Sequence, residues 1–235
     1  GLSVQQAFKK IWRQAIDRKN RVFVGISLLV LLLTLAEGFQ PIDHFFRLSR
    51  SSFYLHDAKP KLAVVLVDDA STNRFGEWPW QRADIAQLVT AIDRAGAKRV
   101  AFEHVFAPGQ DGAGTARLAR VFADLPQRPI LSAGFEIENA GSQRKLKLPD
   151  PQLSAHAQIA INSVPINYMG YVLNIEEGVT VDGRTLPTMA AAVAGRQAVQ
   201  SHDAYVDYSI RPSSIPQVSA ADVLAGRADK QLKGR

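Results

Sequence analysis

At 235 residues, 46% hydrophobic and 21% charged, the chain has room for an apolar membrane segment and one well-buried domain. Its net charge of +6 is lopsided: residues 1–21 hold six bases and one acid, so 22 bases against 21 acids, a net of +1, remain for the rest. A near-neutral remainder carries no nucleic-acid footprint. The absence of Cys excludes disulfides and thiolate metal sites.

The first feature along the chain is Val22 to Ala36, a run of fifteen uncharged residues (VFVGISLLVLLLTLA). At ~1.5 Å per residue it covers ~22 Å, short of a ~30 Å hydrocarbon core. The flanks make up the deficit: Arg21 can snorkel, Glu37, Phe39 and Gln40 fall at the outer interface, and Pro41 stops the helix. Lys9, Lys10, Arg13, Arg18, Lys19 and Arg21 before the run set the N-terminus on the cytoplasmic side. The competing readings are a signal peptide cleaved near Thr34-Leu35-Ala36 and a buried soluble helix. Ahead of the run, Val4, Phe8, Ile11, Trp12, Ala15 and Ile16 recur at helical spacing, as in an interfacial amphipathic helix or a linker to something upstream. A chain that begins at Gly1 is expected to be a fragment. The predicted organisation is a cytoplasmic basic amphipathic segment (1–21), a transmembrane anchor (22–40) and an exported periplasmic domain (41–235).

Within the exported part, residues 61–67 (KLAVVLV) read as a strand buried on both faces, ending in Asp68-Asp69. A helix follows with the stripe Ile85, Leu88, Val89, Ile92 and a glycine cap at Gly96. Residues 99–106 are a second strand; Leu118, Val121, Phe122 and Leu125 mark a second helix that stops before Pro126; 129–136 and 158–164 are two more strands. Alternating strands and helices predict an α/β fold, an open, mostly parallel sheet covered by helices, with the N-terminal transmembrane helix before it. Further on come a hairpin through Asp182-Gly183-Arg184, a short helix over Met189 to Val193, a strand from Tyr205 to Ile210, and a short helix through Leu224 that starts at Ser219 and Asp222.

Asp68 and Asp69 fall at the carboxyl end of a strand, where open α/β sheets place ligand crevices, and Glu103 ends the next one. Three convergent carboxylates suit Mg²⁺, Ca²⁺ or a protonated amine. The alternative is that Asp68 or Asp69 caps the turn through Ala70-Ser71-Thr72. Trp78 and Trp80 either line a ligand pocket or staple the start of the next helix, and both hold if one ring packs while the other faces the crevice. Gly109, Gly112 and Gly114 have the wrong order for a dinucleotide loop, and Asp111 would repel a pyrophosphate, so a flexible surface loop is the default. His44, His56, His104, His156 and His202 lack metal-ligand spacing; His104 draws interest because it adjoins Glu103. There is no nucleophile elbow and no Cys, so catalysis within the chain is not expected, and no cofactor is expected.

VVLVDDAS, GEWPWQR and AGAKRVAFEHVF, in that order over Val64 to Phe106, resemble the second type of CHASE domain. The resemblance continues more loosely through Ile161-Asn162, the short helix after Leu186-Pro187, Ser214-Ile215-Pro216, Val218-Ser219 and Ala221 to Leu224, and covers most of residues 45–226. Two departures stand out. Glu103-His104 replaces the family's aspartate-aliphatic strand end, and Val164 to Asn174 lacks its Asp-Gly plus Arg pattern. The resemblance implies a bacterial receptor with an N-terminal anchor, a periplasmic domain, further membrane helices and a cytoplasmic cyclase, kinase or similar output; the expected reading is an inner-membrane sensor of a small-molecule or envelope ligand, in a homodimer. It also implies another apolar strand after Arg235. The tentative ligand site is Asp68, Asp69, Trp78, Trp80 and Glu103, with the metal undefined. The rival readings are an exported metal-dependent hydrolase using Asp68, Asp69 and Glu103, and a ligand-free dimerisation module.

Overall fold

The computed structural model describes residues 18–35, 49–50, 54–59, 61–138, 143–162, 172, 174–181, 183–196 and 203–235. The chain divides into two compact units, Gly1–Tyr54 and Leu55–Arg235. The amphipathic stretch before Arg18, the flank from Glu37 to Pro41, His44 and His202 lie outside the described residues.

In the first unit, helix α1 (Arg18–Leu35) is 18 residues long. Its first turn spends Arg18, Lys19 and Arg21 before the apolar run begins, leaving the described part of that run below the ~20 residues a spanning helix needs. Among the described residues, no helix is long and apolar enough to cross a membrane. Val24, Ile26, Leu28, Leu29, Val30, Leu31 and Leu32 of α1 are nonetheless all exposed.

The second unit is a mixed α/β fold built from small sheets. Strand β1 (His56–Asp57) precedes β2 (Val64–Leu66), α2 (Asp69–Phe75) and α3 (Arg82–Arg94). Then come β3 (Ala101–Phe102), α4 (Gly112–Asp124), β4 (Ile130–Glu138), β5 (Gln143–Lys147), α5 (Pro151–Ser154) and β6 (Gln158–Ile161). The remainder comprises β7 (Asn174–Glu176), β8 (Gly178–Val181), β9 (Arg184–Pro187), α6 (Met189–Val193), β10 (Asp203–Tyr205), β11 (Ile210–Arg211), β12 (Gln217–Ser219), α7 (Ala220–Leu224) and α8 (Asp229–Leu232). Strand β4 lies between β3 and β6, parallel to both, and its far half pairs antiparallel with β5. Strand β2 pairs in parallel with β12. The other described pairs, β1 with β11, β7 with β10 and β8 with β9, are two-stranded.

The elements follow from their side chains. Ile85, Leu88, Val89 and Ile92 recur every three or four residues, and all four are buried against α4 and the sheet. Each contributes roughly 1.5–3 kcal/mol by burial. Gly96, at φ +82°, ends α3: its N–H donates to the Asp93 carbonyl, and the Ala97 N–H to that of Ile92, satisfying the last turn. Alternation along β4 sends Leu131 into the main core with Leu118, Phe122, Val223 and Val65, and Ile130 into a second cluster with Ala160 and Ala192. The β4–β6 region is thus covered on both faces. Helix α6 and the β8–β9 hairpin, which turns at Gly183 with φ +74°, fall where the sequence puts them, and Thr188 caps α6, a role the sequence reading did not assign.

Three expectations are corrected. The strand predicted over 61–67 orders only at Val64–Leu66 and is buried on one side: Val65 packs against the core while Val64 and Leu66 stay exposed, with β12 its described partner. The strand predicted over Tyr205 to Ile210 is broken, because the Asp207 carboxylate accepts from the Ser209 N–H and hydroxyl and turns the chain between β10 and β11. The glycine loop is short. Gly112 and Gly114 lie in the first turn of α4, where Asp111, at φ 43°, accepts the Gly114 N–H at 2.9 Å.

Candidate functional site

The carboxyl ends of β2 and β3 carry the residues singled out by sequence, and around them the chain forms two hydrogen-bonded knots and an open rim. The first knot is built on Asp68. It is the N-cap of α2, and its Oδ1 accepts from the Ser71 N–H at 3.1 Å, the Ser71 hydroxyl at 2.6 Å and the Ser219 hydroxyl at 2.7 Å. Buried Ser71 in turn accepts the Ala221 N–H at 3.0 Å, joining the start of α2 to the start of α7. These hydrogen bonds, those of Ser71 and then Ser219 foremost, hold the Asp68 carboxyl below its ordinary range. The capping alternative is therefore realised by Asp68, and the turn after it is a helix. Asp69 is exposed in the first turn of α2.

The second knot centres on Arg82. Its side chain is buried at the start of α3, with Nη1 donating to Thr115 Oγ1 at 2.5 Å and to Asp150 Oδ2 at 3.0 Å, and Nη2 to the Ala107 carbonyl. Its backbone N–H donates to Asp111 Oδ2 at 3.1 Å. Asp150 caps α5 through the Gln152 N–H at 3.0 Å. One guanidinium thus ties α3, the β3–α4 connection, α4 and the start of α5 together. A buried charge persists because it is paired with the Asp150 carboxylate and hydrogen-bonded to Thr115 and Ala107.

Between the knots lies the rim. Trp80 is 5% exposed, stacks on Phe75 at 4.8 Å and donates its Nε1–H to the Gly76 carbonyl at 2.9 Å. Trp78, 41% exposed, stands 5.9 Å from Trp80 and meets His104 edge to face at 5.2 Å. One ring packs and the other faces outward. Glu103 is exposed, and its carbonyl accepts from Asn162 Nδ2 at 3.3 Å. Burial of one side of the His104 ring, reinforced by the positive charge of Arg82, lowers its pKa below the ordinary 6.5.

Among the described residues no three His, Asp or Glu side chains stand close enough to hold a metal ion. Asp68 is spent on capping, so the rim offers a planar aromatic surface beside the separate carboxylates of Asp69 and Glu103. That arrangement suits recognition and supplies no activated nucleophile. The sequence reading missed the Arg82 knot, although a signal exists: Arg82 precedes Ile85 and Val89 at helical spacing and so falls on the buried stripe. Asp150-Pro151 is likewise a readable cap followed by a first-turn proline. Nothing in the sequence marks Thr115.

No curated protein and no solved structure matches the chain. The family model of the CHASE2 domain matches residues 22–235. That span takes in both knots, the rim and the motifs that meet in them, with the DDAS serine bonding to the Val218-Ser219 element and the arginine of WPWQR forming the second knot. The chain belongs to the CHASE2 domain family, a family of extracellular sensory domains.

Proposed function

We propose that this chain is the extracytoplasmic sensory module of a bacterial membrane receptor, without enzymatic activity of its own, which relays a periplasmic stimulus to a cytoplasmic cyclase or kinase. The family match over residues 22–235 carries this reading. In it, residues 22–40 anchor the chain in the inner membrane, residues 1–21 lie in the cytoplasm and residues 41–235 in the periplasm, and the small parallel sheets belong to one open sheet. The exposed aliphatic side chains of α1 support the anchor, since such a cluster needs lipid or a partner to cover it. The input site is the rim of Trp78, Trp80, Asp69 and Glu103 with Asp68 beneath it. A small-molecule or envelope ligand acts by binding one of two arrangements of a homodimer more tightly than the other.

Two experiments test this. A periplasm-dependent reporter fused near Lys61 should be active and one near Gln14 silent; the reverse pattern would overturn the export reading. In the full-length receptor, Asp69→Asn and Glu103→Gln should alter output while the amount of folded protein holds. Unchanged output in both variants would remove the site.

A further inference from the structure

His104 is an exposed residue after β3, yet its ring packs between two aromatic rings, a setting that favours the neutral imidazole over the charged one. Its ring stands edge to face against Trp78 at 5.2 Å with planes 84° apart, and against Phe106 at 5.3 Å and 85°. Phe106 continues into the core through Phe102 at 5.2 Å, and Phe102 meets Phe122 at 5.8 Å. The imidazole therefore links the outward-facing Trp78 loop to the buried aromatic core, yet it keeps enough solvent contact to exchange protons.

Its charged surroundings are asymmetric. Glu103, on its own strand end, is exposed. Arg82, at the start of α3, is buried, permanently charged and held in place by Asp150 and Asp111. Glu77, exposed, precedes Trp78 in the loop. An imidazolium formed here gives up hydration on the side of the aromatic rings and meets the field of a fixed guanidinium. Attraction of an imidazolium to the Trp78 face works the other way but is weak at an exposed ring.

We propose that His104 is an acid-operated latch on the Trp78 loop: neutral, it holds Trp78 against the end of β3, and protonated, it lets the loop go. The latch deepens the sensory reading by making the proton an input at the same rim. The sign follows from linkage. Because desolvation and Arg82 lower the pKa in the packed arrangement, that arrangement binds fewer protons than the released one. Its stabilisation is complete above 6.5 and is lost as pH falls through the lowered value.

The test uses the full chain with 5-fluorotryptophan, followed by ¹⁹F NMR from about pH 8 to about pH 5. Trp78→Phe assigns the Trp78 resonance. The expected result is a shift of that resonance with one midpoint below 6.5 while Trp80 stays fixed. His104→Gln should abolish the transition, and His104→Phe, which keeps the ring contacts without a titrating proton, should hold Trp78 at its high-pH position throughout. A pH-invariant Trp78, a transition that survives either substitution, or a Trp80 signal that moves with it would each overturn the latch. An invariant Trp78 in a receptor that still responds to Glu103→Gln rejects the latch alone. A working latch in a receptor indifferent to Asp69→Asn and Glu103→Gln rejects the ligand site instead.

Discussion

Trp78, Trp80 and Arg82 alternate along one short stretch of sequence and end in opposite environments. Arg82 is 4% exposed, no more than Trp80 at 5%, while Trp78 remains 41% exposed. Polarity alone ranks them the other way round. What decides is partners: Arg82 finds a carboxylate, a hydroxyl and a carbonyl waiting at the ends of α4, α5 and β3, and Trp80 finds Phe75 and the Gly76 carbonyl. Among the described residues, Trp78 meets the rings of Trp80 and His104. The knot is therefore where stability resides, and the rim is where the molecule has surface to spare for recognition.

The largest effect should come from cutting the knot. Asp150→Ala leaves the Arg82 guanidinium buried without its counter-charge and removes the α5 cap, so a loss of roughly 3–5 kcal/mol is expected. Urea denaturation of the variant measures it. A loss below about 1 kcal/mol would mean that water replaces the carboxylate and that the knot is not the fastening point.

The two tryptophans sharpen the comparison under one substitution. Trp80→Phe opens a small cavity and strips the Gly76 carbonyl of its donor, for a cost of about 2 kcal/mol. Trp78→Phe should stay within about 0.5 kcal/mol. Equal losses would erase the distinction between core and rim.

Between these extremes lies the cap of α4. A Cβ at Gly114 would sit 1.9 Å from Asp111 Oδ2, the oxygen that also accepts the Arg82 N–H. Gly114→Ala must push that carboxylate aside, so a loss of about 1 kcal/mol is expected, the worth of an N-cap. A melting temperature equal to the parent's would show that Asp111 swings away at no cost.

How much of this the sequence discloses depends on how local the cause is. Helix α3 is legible because its stripe and its Gly96 cap lie within one window, as do the Gly183 hairpin, the short helix α6 and the Ser219 start of α7. The one-sided β2 is not, since KLAVVLV is equally apolar whether its second face is covered or open, and only a distant element decides. The break at Asp207 escaped because the Tyr205 to Ile210 alternation and an Asp-Tyr-Ser turn share the same letters. For the site, sequence separates the candidates but not their duties. Asp68 and Glu103 both end strands, yet Asp68 is consumed by Ser71 and by Ser219, 151 residues away in the chain, a partner that no local pattern announces.

The smallest expected change in stability falls on the rim's acids and carries the most information. Asp69 and Glu103 are exposed, and neither makes an ion pair with the described residues. Asp69→Asn and Glu103→Gln should each shift stability by less than about 0.5 kcal/mol. Asp68→Asn behaves differently with pH. The lowered carboxyl pKa means that its stabilisation is present above 3.8 and lost as pH falls through the depressed folded value. Removing that carboxylate should flatten the acid limb of the melting-temperature profile. If Glu103→Gln reshapes the acid limb as strongly as Asp68→Asn, Glu103 is a structural acid as well, and the rim loses the property that makes it a place to receive a signal.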